Sequence, residues 1–249
     1  MNEKEYHVEC RKGDVARYML VVGDPGRADL IGKQLDFKLV AKHREYTTYT
    51  GELASDIPLS VASLGIGCPS TAIGLEEYAK CGANTFIRVG TSGSLQENVK
   101  VGSIVNGTAA IRDEGTSTQY IPLAYPAAAH VDVVLAIREA SRRLNVENYH
   151  EGVIHSKDAF YLEEPMMIPD VTVREKWKTW QRGNALATEM ESSLIYTLGS
   201  IRGWRTGTVL AVIGASWDDK PVVEPGVSVQ IAIDVALETV RLLSEKDAK

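Results

Sequence analysis

Two stretches of this sequence set a guanidinium beside glycines: GDPGR, with Gly23, Asp24 and Arg27, and RVGTSGSL, with Arg88, Thr91 and Gly93. Each follows an apolar run, MLVV in the first case and TFI in the second. Glycines there let backbone N–H groups approach a ligand, and a helix starting just beyond adds partial positive charge, so the arrangement suits phosphate. Arg27 and Arg88 add forked, permanently charged donors. Either stretch alone is an ordinary turn. Their co-occurrence points to a bound oxyanion, and the reading predicts that the strand carrying Arg88 breaks there into a turn with free N–H groups.

The other reactive side chains narrow the chemistry. Cys10, Cys68 and Cys81 are odd in number and form no Cys-x-x-Cys pair, so reduced, structural thiols are expected. His7, His43, His130, His150 and His155 are scattered without helical ligand spacing, and no metal site is expected. GIGCPS opens like a dinucleotide fingerprint but lacks the third glycine and the acid about 20 residues further on. TEMES carries Glu189 and Glu191. On a regular helix, residues two apart point to different sides, which argues against a catalytic carboxylate pair.

The elements that must position these residues follow one rhythm. RYMLVVGDPGRADLIGKQL and PLSVASLGIGCPSTAIGLEEYAKCG each run from apolar strand through a Gly/Pro turn into helical spacing. Further strands are expected at GSIVNGTAAI, EGVIHSKDAFY and TGTVLAVIGAS, and helices at HVDVVLAIREASRRL, ATEMESSLIYTLGS and SVQIAIDVALETVRLLSEK. Alternating strands and helices imply an α/β sheet with helices on both faces, whose ligand binds at the carboxyl ends of the strands. There the glycine turns fall.

Composition bounds the function. With 249 residues, 44% hydrophobic and 24% charged, the chain reads as one globular domain, residues 1–249. A net charge of -6 argues against a nucleic-acid surface. No apolar run resembles a signal peptide or a membrane span, so a cytoplasmic protein without membrane contact is expected.

The ordered motifs VVGDPGR, HREYTTYTGEL, LGIGCPSTAIGLEEYAKCGANTFIRVGTSGSL, SKDAFY and TEMESS resemble nucleoside phosphorylases of the uridine phosphorylase type, over nearly the whole chain. The resemblance implies a three-layer αβα sandwich with a mixed central sheet. It also implies a homo-oligomer, a hexamer built as a trimer of dimers, in which a neighbour completes each active site. The reaction implied is cleavage of a nucleoside by inorganic phosphate, a co-substrate rather than a cofactor, to free base and (deoxy)ribose 1-phosphate. Phosphate sits beneath an anomeric carbon that becomes cationic as the base leaves.

By the same resemblance, Gly23, Arg27, Arg88 and Thr91 hold phosphate, joined by Arg44 from the partner. His7 from the partner, Met190 and Glu191 hold the ribose, and Gly93, Phe160 and Glu189 meet the base. Arg88 and Glu191 are the catalytic pair. Replacing Arg88 by alanine is expected to abolish phosphorolysis and largely spare the fold.

The base loop departs from the pattern. Where uridine phosphorylases carry a Gln and an Arg for the uracil edge, this chain reads FYLEEPMMIP, with Glu163, Glu164, Met166 and Met167. An altered base preference is therefore expected. The purine branch uses an Asp after a late strand to protonate the departing base. Here that region reads ASWDDKP, with Ser216, Trp217, Asp218 and Asp219. A purine nucleoside phosphorylase, and a homologue that binds phosphate and ribose with little turnover, stand as the alternatives; a hydrolase would not need Arg27, Arg44 and Arg88 together.

Overall fold

A computed structural model describes residues 3–53, 56–163, 171–215 and 223–249. The chain begins with β1 (Tyr18–Val22), whose five residues are all buried, as a central parallel strand flanked on both sides requires. Asp24 then caps α1 (Pro25–Gln34), accepting the Gly26 amide at 2.9 Å, with Pro25 preorganised in the first turn. A hairpin of β2 (Lys38–His43) and β3 (Tyr46–Leu53) leads into β4 (Ile57–Ser63) and α2 (Cys68–Cys81).

Next come β5 (Thr85–Ser94), β6 (Ile104–Asp113), α3 (Ser117–Tyr120), β7 (Ala127–Ala128), α4 (Val131–Arg143) and β8 (Tyr149–Lys157). A 3₁₀ turn (Phe160–Glu163) precedes α5 (Val171–Arg182), β9 (Ala187–Glu189), α6 (Ser192–Arg202), β10 (Arg205–Ala215) and α7 (Pro225–Asp247).

The strands form one mixed sheet in the order β10, β6, β8, β9, β5, β1, β4, β3, β2, with β7 beside β6. Parallel pairs (β1 with β4 and β5, β6 with β8) coexist with antiparallel ones (β3 with β2 and β4, β10 with β6). β10 also pairs with β5, so β5, β10, β6, β8 and β9 close into a ring while β1, β4, β3 and β2 fan out from it.

Two apolar clusters lie on the sheet. One gathers Leu75 and Tyr78 of α2 with Leu194 and Leu198 of α6; the other gathers Ile31 of α1, Ile137 of α4 and Val235 and Val240 of α7. Helices thus flank a mixed central sheet on both sides, as the sequence implies. Each fully buried Leu or Ile side chain contributes roughly 1.5–3 kcal/mol relative to exposure.

Two expectations fail at the site. The strand carrying Arg88 does not break after it: β5 continues to Ser94, because β10 pairs with it from Arg205 opposite Thr85 to Ala215 opposite Ser94. Nor is ATEMES helical. Residues Ala187–Glu189 form β9, held between β5 and β8, and the helix starts at Ser192.

Candidate active site

A cleft of about 1210 Å³ opens where the strands end. β1 pairs with β5 only as far as Arg88, and β9 joins β5 only at Gly93. Between them one side of β5 is unpaired, and the cleft enters there, lined by Thr91, Ser92 and Gly93. The backbone expected from a turn is supplied instead by this gap between neighbouring strands.

Arg88 lies at its floor, 6% exposed. Its Nε donates to Glu189 Oε2 at 3.0 Å, and its Nη2 stands 2.5 Å from Glu191 Oε2. Gly90 makes room for this folded-back side chain, since a Cβ there would stand 2.9 Å from Arg88 Cζ and 2.8 Å from Leu210 Cδ2. Burial alone would lower the Arg88 pKa, but the two carboxylates outweigh it and hold the guanidinium above its ordinary value.

Arg27, on the first turn of α1, also lines the cleft and donates from Nη1 to the Val89 carbonyl at 3.4 Å. Burial and the neighbouring Arg88 cation both push its pKa down, with Asp24 opposing. An anion beside Arg27 would offset both effects. Gly23 and Asp24 complete this end of the cleft.

The carboxylates that face Arg88 converge because they do not share a helix. Glu189 ends β9 and Glu191 is the N-cap of α6, so the chain bends between them and both reach one guanidinium. This corrects the expectation that they diverge. Glu189 lines the cleft, yet its oxygens are taken up within the protein: they accept Arg88 Nε, Ser156 Oγ at 2.5 Å and the amides of Glu191 and Ser192 at 3.0 Å. Glu191 keeps one oxygen on Arg88 and gives the other to the Gly67 amide at 2.6 Å. Gly67 has φ 88°, a conformation that favours glycine. Burial and the adjacent Glu189 charge raise the Glu191 pKa against the pull of Arg88. Met190, half-buried, lies between the two carboxylates on the cleft wall.

At the other end are Phe160 and Tyr161, edge to face at 5.3 Å and largely exposed. Three residues that the sequence reading did not single out join them: Lys157, Trp177 and Ile213. Ile213 reaches the cleft because β10 carries a bulge between Val212 and Gly214, which turns the extra residue outward. Lys157 lay unremarked inside SKDAFY, and Trp177 stands 20 positions away from it in α5. Glu164, Met166, Met167, Ser216, Trp217, Asp218 and Asp219 lie outside the described residues, and nothing is described of the Glu163 side chain.

Neither His7 nor Arg44 lines the cleft of its own chain. His7 is bound to Glu77: Nδ1 lies 2.7 Å from Oε1, while the His7 and Val8 amides donate to Oε2 at 2.9 Å. Arg44, exposed and left-handed at φ 51°, tips the β2–β3 hairpin. The ring of the adjacent His43 lies 2.9 Å from the His7 carbonyl, so His7 and Arg44 belong to one edge of the molecule.

The three cysteines are unpaired and buried. Burial pushes the Cys10 thiol up to about 11 and Cys81 to about 12, and raises Cys68 further, so none is a ready nucleophile. Among the described residues no group of His, Cys, Asp and Glu is placed to hold a metal ion, and no helix is long and apolar enough to cross a membrane.

Comparison with known proteins places the fold in a family. The phosphorylase superfamily model matches residues 17–243. A uridine phosphorylase from Treponema pallidum is 42% identical, covering 98% of this chain and 96% of its own length. A guanosine phosphorylase from Halorubrum lacusprofundi is 36% identical, covering 96% of this chain and 99% of its own. The crystal structure of a uridine phosphorylase from Vibrio fischeri superposes with a TM-score of 0.83 at 29% identity, over 96% of this chain and 98% of that one. With its fold and nearly its whole length shared in this way, the chain belongs to the phosphorylase superfamily.

Proposed function

We propose that this protein is a pentosyltransferase that cleaves the N-glycosidic bond of a nucleoside with inorganic phosphate, in the manner of uridine phosphorylase. The observation that carries the reading is the pair Arg27 and Arg88 lining one cleft, where burial and the Arg88 cation lower the Arg27 pKa and an anion beside Arg27 would offset both. Phosphate held there by the arginines, Thr91 and Gly23 presents an oxygen to the anomeric carbon. As the oxygen–carbon bond forms and the carbon–nitrogen bond breaks, the bound dianion stabilises the positive sugar, and the bonding pair leaves with the base.

Glu191 accepts a ribose hydroxyl while remaining on Arg88, so sugar and phosphate are registered against each other through one ion pair. Met190 packs against the sugar ring, and Phe160 and Gly93 border the base. Glu189, with its oxygens occupied by Arg88, Ser156 and two amides, acts as a positioning residue for Arg88 rather than as a contact to the base. Relatives named uridine phosphorylase and guanosine phosphorylase support a nucleoside as the substrate.

The active assembly is a homo-oligomer, a hexamer as a trimer of dimers, in which His7 and Arg44 enter a neighbour's cleft. Their absence from their own cleft and their shared edge support this. Each chain acts as one domain. Three unpaired cysteines fit the reducing cytoplasm.

Incubation with uridine, thymidine, inosine, guanosine and adenosine, with and without phosphate, tests the reading. Phosphate-dependent appearance of free base and ribose 1-phosphate is expected. Release independent of phosphate would instead mark a hydrolase.

A further inference from the structure

The far end of the cleft has a polar wall that the phosphorolytic reading leaves without a task. Thr188 is the middle residue of β9, in register with Gly93 of β5 on one side and His155 of β8 on the other. It lines the cleft together with Gly93, Phe160 and Trp177. Its Oγ1 lies 3.1 Å from His155 Nδ1, and His155 Nε2 lies 3.1 Å from Asp113 Oδ2 at the end of β6. The His155 ring is 1% exposed and clamped, edge to face on Trp177 at 5.4 Å and beside Trp180 at 5.5 Å. Asp113 is tied in turn to Lys176 of α5. A carboxylate, an imidazole and a hydroxyl therefore form one chain that ends on the cleft wall.

Such a chain has a direction. Burial would raise the Asp113 carboxyl, but the His155 ring and the Lys176 ammonium outweigh it and hold it below its ordinary value. Asp113 is thus a carboxylate, which only accepts hydrogen bonds. It draws the ring proton to Nε2 and leaves Nδ1 as an acceptor. The Thr188 hydroxyl has a single proton, and once that proton is donated to Nδ1 the oxygen offers only lone pairs to anything else.

We infer that Asp113 and His155 set Thr188 as a fixed hydrogen-bond acceptor for the base. It selects nucleosides whose base carries a ring N–H, as uracil does at N3 and hypoxanthine and guanine do at N1, over those with a bare ring nitrogen there, as in cytosine and adenine. This rests on the phosphorolytic reading of the cleft, in which Gly93, the register partner of Thr188, borders the base. A hydroxyl free to rotate would donate or accept and tell the two classes apart poorly. With its proton committed to His155, Thr188 leaves the bare nitrogen facing lone pairs, an unmade hydrogen bond in a buried site. Thr188 meets the base; His155 and Asp113 are positioning residues that act through it.

The test measures kcat/KM for uridine and cytidine, or for inosine and adenosine where the native protein takes purines, in native protein, Thr188→Val, Thr188→Ser and Asp113→Asn. Thr188→Val keeps the shape and removes the oxygen, so the preference for the N–H base should fall about three- to tenfold, the size of one neutral hydrogen bond. Thr188→Ser keeps the hydroxyl and should keep the preference. In Asp113→Asn the new amide donates to Nε2, which moves the ring proton to Nδ1 and turns the Thr188 proton toward the cleft. The preference should then fall roughly 10- to 100-fold, because the base N–H faces a donor. Phosphate binding, measured by calorimetry without nucleoside, should stay unchanged in all three variants.

An unchanged preference in either Thr188→Val or Asp113→Asn, whether or not the rates themselves fall, would overturn the assignment while leaving phosphorolysis intact, since a merely structural role slows both nucleosides alike. Native protein that releases no base with phosphate from any nucleoside would overturn the phosphorolytic reading as well, and that failure appears before any substitution.

Discussion

Arg88 Nη2 stands 2.5 Å from Glu191 Oε2, and both side chains are more than nine-tenths buried. The same guanidinium carries Glu189 on its Nε. One cation therefore balances two carboxylates, and its removal cannot be a local event.

Arg88→Ala should abolish phosphorolysis and also unsettle the fold. Leaving buried carboxylates without their cation costs about 3–5 kcal/mol. The geometry therefore argues against the expectation from sequence that the fold is largely spared. Calorimetric unfolding checks it: an unchanged Tm would show that solvent or another cation replaces Arg88.

Gly90→Ala tests the placement of Arg88 without removing its charge. The new Cβ would lie within 3 Å of both Arg88 and Leu210. Overpacking of this kind costs about 1–3 kcal/mol. The phosphate KM should rise roughly tenfold as the guanidinium is displaced, an effect of about 1.4 kcal/mol. Steady-state kinetics at varied phosphate, together with urea unfolding, separates the two effects.

Only part of this was legible in the sequence. GDPGR announced a strand, a turn and a helix because Gly, Asp and Pro act through neighbours in the chain: Asp24 caps the helix and Pro25 starts it. The continuation of β5 past Arg88 was not legible, since it depends on β10, more than a hundred residues later. Likewise Glu189 and Glu191 borrow the helical spacing of the residues that follow them, and only the pairing of β9 with β5 and β8 makes them strand end and helix cap. Trp177 meets Lys157 at the cleft only because α5 packs there.

Glu77 provides a pH signature for the amino-terminal segment. Burial would raise its carboxyl, but the His7 ring and the amides of Val8 and His7 outweigh this and hold it below the usual 4.5. A carboxyl depressed in the folded state stabilises above its unfolded pKa, and the contribution is lost as pH falls through the folded value. Native protein should therefore be more stable than Glu77→Gln at about pH 6, with the gap closing below about pH 4. Urea midpoints across this range check it; a gap independent of pH would assign the effect to packing.

Shared active sites predict complementation. If Arg44 acts on the neighbour while Arg27 acts on its own cleft, Arg27→Ala and Arg44→Ala should each be inactive as pure assemblies. A mixed dimer then holds one cleft with both arginines intact and one lacking both. Co-expression of the two variants should restore activity. Continued inactivity would place both arginines in the same chain's cleft.

The ring of β5, β10, β6, β8 and β9 behaves as a hoop, and a hoop is governed by its clasp. That clasp is β9, three residues long and paired by two positions on each side. It is also the strand that ends in Glu189, whose carboxylate holds Arg88 of the neighbouring β5. Closing the hoop and aiming the arginine thus depend on the same three residues: a change that loosens the clasp also loosens the carboxylate that holds Arg88.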